Sequence, residues 1–148
     1  MLGPLWVRIG IPWWRIKRKT QEMITEDYVS FETAKLLKEK GFDEATYHDY
    51  APSGARWFEE VLVNHNSQGG VACPTLQMAM KWLREKHNIF IDISSRFSKN
   101  ADKDVCFSYS CKKLIDTYKS SYEIGDGEWL NYEEAVEAAI KHCLKNLI

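Results

Sequence analysis

Four cysteines and four histidines are the residues of this chain best suited to act as nucleophiles, bases or metal ligands. Their spacing points to none of these roles. Cys106 and Cys111 are five apart, which puts them on opposite faces of a single strand. No Cys-x-x-Cys or paired-His spacing of the zinc-site kind occurs. Cys143 falls on the apolar stripe of a helix, where a small buried thiol is the plain reading. Cys73 stands just before a helix, where the helix N-terminus can lower a thiol pKa. His65, His87 and His142 are the candidate bases, but a Cys–His pair has to meet in space, and nothing in the spacing brings one together. No Walker loop, dinucleotide-binding turn or nucleophile elbow is present, and Gly125-Asp126-Gly127 reads as a turn. The sequence therefore predicts no catalytic residue, no cofactor and no metal, in a protein that is not an enzyme.

Recognition is the chemistry that remains. Tyr28, Tyr47, Tyr50 and Tyr118 fall in or near loops and strand edges, and Tyr and Trp are favoured interface anchors. Trp57, Trp82, Trp129 and Tyr122 are the candidate partner-binding residues. The competing reading of each ring is that it covers a thin sheet.

Three helices must carry these residues. The first is "SFETAKLLKEKGF": Ser30 caps it, Phe31, Ala34 and Leu37 share a face, and Gly41 supplies the left-handed position that ends it, with Phe42 folding back. The second starts at Thr75 behind Pro74. Leu76, Ala79, Met80 and Leu83 form its buried face, and Met78 and Trp82 form a flanking apolar ridge, so two-sided packing is expected. Of the residues in that stretch, Trp82 alone is open to a surface role. The third is capped by Asn131, with Glu134 three residues on and Leu130 placed to staple its start. Val136, Ala139, Ile140, Cys143, Leu144 and Leu147 hold its apolar face.

Strands fill the intervals. Ile89, Ile91 and Ile93 alternate with Phe90, Asp92 and Ser94, and Val105 to Lys112 alternates likewise, so the two form a hairpin across a polar loop. "TYKSSYEI" adds a third strand. "ATYHDY" and "WFEEVLVNHN" flank "APSG" as a second hairpin. The order α-β-β-α-β-β-(β)-α predicts an α+β fold, a small antiparallel sheet packed against about three helices.

The net charge of −1 hides an asymmetry. Residues 1–22 place Arg8, Arg15, Lys17, Arg18 and Lys19 against Glu22, a local +4, and they hold three of the six tryptophans. This leader follows no helix or strand period. It reads as upstream translation from a misassigned start, with Met23 the true first residue, or as a disordered tail. It also reads as an extra packed segment, or as a basic, Trp-rich contact to nucleic acid or an anionic membrane. Residues 23–148 read as one mildly acidic domain. No apolar run approaches the roughly 20 residues a membrane span needs, and the leader has the wrong order of charge and apolar stretch for a secretory signal. The expectation is a cytoplasmic protein with reduced thiols and no membrane contact.

The stretches "ITEDYVSFETAKLLKEKGFD", "CPTLQMAMKWLREKHNIFIDI" and "NYEEAVEAAIKHCLKNLI" carry a resemblance. On them, the body resembles a group of short uncharacterised proteins encoded by phages and mobile elements of Bacteroidetes gut bacteria. The resemblance implies an origin and a fold; it carries over no catalytic or binding residue. The resulting expectation is an accessory protein of a phage or mobile element, acting by binding a host or phage protein. The alternative is a nucleic-acid-associated protein, because residues 74–148 run α-β-β-β-α, the order of a double-stranded RNA-binding domain. Glu133, Glu134 and Glu137 argue against it, since they occupy the start of the last helix, where such domains need cations.

Overall fold

The computed structural model describes residues 24–98 and 105–148. The leader and the tip of the 97–105 loop lie outside the described residues, and so do the expectations made for them. The elements run α1 (Phe31–Glu39), β1 (Thr46–Tyr50), β2 (Arg56–Val63), β3 (Val71–Ala72), α2 (Leu76–His87), β4 (Ile89–Phe97), β5 (Val105–Leu114), β6 (Ser120–Ile124) and α3 (Tyr132–Asn146). The class is α+β, as expected. The strands divide into two antiparallel sheets, ordered β2-β1-β3 and β4-β5-β6, where the sequence suggested one. The division follows from β3, a two-residue strand that pairs with β1, so that α2 separates the first sheet from β4.

Local signals set the helix ends. Ser30 Oγ accepts the Thr33 N–H at 3.3 Å. At the far end Gly41 has φ +89°, the Phe42 N–H reaches Leu37 O at 2.9 Å, and the Gly41 N–H reaches Lys38 O at 3.1 Å. That paired closure buries Phe42. Thr75 Oγ1 caps α2 through the Met78 N–H at 3.1 Å. Asn88, left-handed at φ 54°, turns the chain from α2 directly into β4; Asn tolerates that conformation better than most residues. Asn131 Oδ1 caps α3 through the Glu133 N–H at 2.8 Å. Leu130 does not staple α3, because its side chain is 73% exposed. A backbone bridge holds the start of that helix instead: Phe107 N–H to Trp129 O at 2.7 Å, and Trp129 N–H to Phe107 O at 2.9 Å.

α2 and α3 pack on each other and on the second sheet, while α1 packs on α3 and β3. Leu37, Leu83, Ile89, Val136, Ile140 and Leu144 are fully buried at this junction. Each contributes about 1.5–3 kcal/mol by leaving water. The two-sided packing expected of α2 is realised through Trp82, whose ring meets Phe42 edge-on at 5.5 Å, while His87 of the same helix lies against it at 4.5 Å. Phe31 stands outside this core and lies on Tyr50 at 5.2 Å, with Lys35 Nζ 4.7 Å from its centre.

Candidate docking surface

The first sheet gathers five exposed large apolar side chains, Tyr47, Trp57, Phe58, Val61 and Leu62, on two neighbouring strands. β2 stands at the sheet edge, and seven of its eight residues are exposed. Its sequence explains why. "RWFEEVLV" places apolar residues in doublets, Trp57-Phe58 and Val61-Leu62, so each face of the strand receives some and neither face is polar. The ladder is also irregular: β2 advances five residues from Phe58 to Val63 while β1 advances two, from His48 to Thr46. The extra residues form a bulge that takes Glu59–Leu62 out of the pairing. Trp57 and Val61 are 61% and 63% exposed, and Phe58, Leu62 and Tyr47 are exposed beside them.

Beside this strand, β1 and the first half of α2 enclose a groove of about 370 Å³. Leu62, Tyr47, Met78 and Tyr28 give it apolar walls, and Glu26 and Lys81 are among its polar lining. The aromatic rings form a run: Tyr28 to His48 at 4.5 Å, His48 to Phe58 at 5.2 Å, and Phe58 to Tyr47 at 6.4 Å. The Arg56 guanidinium sits 4.2 Å over Tyr28. Burial, with the neighbouring Arg56 charge second, holds the His48 imidazole below its ordinary pKa, so it joins the run as a neutral ring. Glu26, Glu59 and Glu60 form no ion pair among the described residues.

The residues singled out by sequence are dispersed. Trp57 belongs to this surface. Trp82 is 4% exposed, a correction to its surface role; its ring edge only helps to floor a shallow cavity with Phe42 and Met78. Phe42, which the α1 closure folds onto the Met78–Trp82 ridge, covers the ring. Trp129 is half-buried against Tyr109 at 5.2 Å. Tyr122 is exposed, on β6 of the other sheet. Phe58, Val61 and Leu62 belong to the surface without having been selected, and Tyr47, named among the interface-type aromatics, lies beside them. The signal that would have found the β2 residues is the pair of apolar doublets around Glu59-Glu60.

The candidate chemical groups also stay apart. Cys73 shares the groove lining with His48, yet its thiol is buried and points to Val29 O at 4.0 Å. Burial pushes its pKa up, the opposite of an activated nucleophile. His65 lies 3.8 Å from Asp49, His87 ends α2, and His142 pairs with Glu123 from α3. Among the described residues no group of three His, Cys, Asp or Glu could hold a metal ion, and no helix is long and apolar enough to cross a membrane. No family model, curated protein or solved structure matches the chain.

Proposed function

We propose that this protein is a non-enzymatic interaction domain, an accessory protein of a phage or mobile element, which docks an extended apolar segment of a host or phage protein against β2 and the adjoining groove. The observation that carries this reading is a strand apolar and exposed on both faces at a sheet edge. Such an edge offers unpaired backbone groups for strand addition, with side-chain pockets for selectivity. Glu26, Glu59 and Glu60 favour a segment with basic residues. A second copy is a poorer occupant, because symmetrical antiparallel pairing of β2 about its centre sets Glu59 against the copy's Glu60. The nucleic-acid alternative keeps its topology, because α2, β4, β5, β6 and α3 follow in the order of a double-stranded RNA-binding domain. Glu133 and Glu134 in the first turn of α3 would, however, repel a phosphate backbone there.

The test is capture from host extract by the full chain and by its Phe58→Lys/Leu62→Lys variant. The expected result is a partner kept by the parent and lost by a variant of unchanged thermal stability. Equal capture by both overturns the reading.

A further inference from the structure

Strand β5 and helix α3 bring a pair of thiols together where no role in docking requires them. Cys111 lies on β5 and Cys143 on α3; both are fully buried, and the Cys143 thiol donates to Cys111 Sγ at 3.2 Å. We propose that Cys111 and Cys143 form an oxidisable dithiol site that closes to a disulfide on reaction with a peroxide. A disulfide needs the sulfurs to approach by only about 1.2 Å more, and the side chains already converge from a strand and a facing helix. The donated hydrogen bond also draws the Cys111 pKa down, which makes it the attacking sulfur. Its thiolate attacks one peroxide oxygen, the O–O bond breaks, and the departing oxygen leaves as water after taking a proton, giving a sulfenic acid on Cys111. Cys143 sulfur then attacks that sulfur, the S–O bond breaks, and a second water leaves with the Cys143 proton. Two thiols and one hydrogen peroxide thus give one disulfide and two waters. Access comes through the end of α3, where the Leu147 N–H bond to Cys143 O at 2.9 Å closes the last turn; helix ends open at low cost. Cys106, five residues along β5 from Cys111, faces the other way, and Cys73 is held against Val29.

The full chain is treated with excess hydrogen peroxide while folded, then denatured and alkylated. The expected result is two alkylated thiols in place of four, a proteolytic fragment linking Cys111 to Cys143, and restoration of four by a reductant. The oxidised protein melts roughly 10 °C higher, because the cross-link restricts the unfolded chain. Cys143→Ser abolishes the linked fragment; if that variant does not fold, the parent's fragment map decides alone. Four alkylated thiols, sulfinic acid without a cross-link, or a link through Cys73 or Cys106 overturns the proposal.

Discussion

The backbone N–H of Ser30 donates to Glu137 Oε1 at 3.1 Å, and the same carboxylate oxygen accepts the hydroxyls of Ser30 and Thr33. A side chain from α3 therefore completes the N-terminus of α1 across 107 residues of sequence. Glu137→Ala is expected to cost about 2 kcal/mol, the range for hydrogen bonds to a charged group. Glu137→Gln, which keeps an acceptor oxygen, should cost about half as much. Urea unfolding followed by circular dichroism measures both.

Trp82 and Trp57 divide into a buried and an exposed ring. Trp82→Ala removes a ring packed between Phe42 and His87 and should cost about 3–5 kcal/mol. Trp57→Ala removes an exposed ring and should change stability by no more than about 0.5 kcal/mol while weakening partner capture. Melting temperature and pull-down yield, read on the same two variants, separate the roles.

Stability should fall on mild acidification. Burial lowers the pKa of both His87 and His48, with Lys113 and Arg56 respectively adding to it. As pH drops through the ordinary imidazole value of 6.5, the unfolded chain takes up protons that the folded chain refuses. Folding free energy is therefore lost through that point and levels off below the folded-state values. Melting temperatures from about pH 8 to about pH 5 at fixed ionic strength follow the loss. His87→Gln should flatten part of it.

Two glycines should respond differently to alanine. Gly41 has φ +89° with open space where a Cβ would stand, so Gly41→Ala pays backbone strain alone, about 1 kcal/mol. A Cβ on Gly125 would stand 2.3 Å from the Tyr109 ring. Gly125→Ala must therefore displace a ring that packs on Trp129, and it should cost more than Gly41→Ala. Thermal melts of the two variants rank them.

The helices were legible in the sequence because each is specified locally. Ser30, Thr75 and Asn131 cap, Gly41 closes, and the apolar faces keep a helical period. What escaped depends on contacts distant in sequence. Nothing near Trp82 announces Phe42 as its cover, and Glu137 reads as a solvated acid until α1 arrives beside it. Two-residue β3 is too short to show a period, so the split into two sheets was hidden. The docking surface was half legible: Trp57 stood out by residue type. Phe58, Val61 and Leu62 look like ordinary core residues until the bulge leaves them without a second layer.

The docking surface is tested most directly by photo-crosslinking in the full chain, with a benzophenone side chain in place of Val61 or, separately, of Tyr122. Irradiation in host extract should yield an adduct at position 61, mapped to an apolar segment with basic residues in another protein, and none at position 122. No adduct at 61, equal adducts at both positions, or attachment only to residues 1–23 or a second copy would contradict the account.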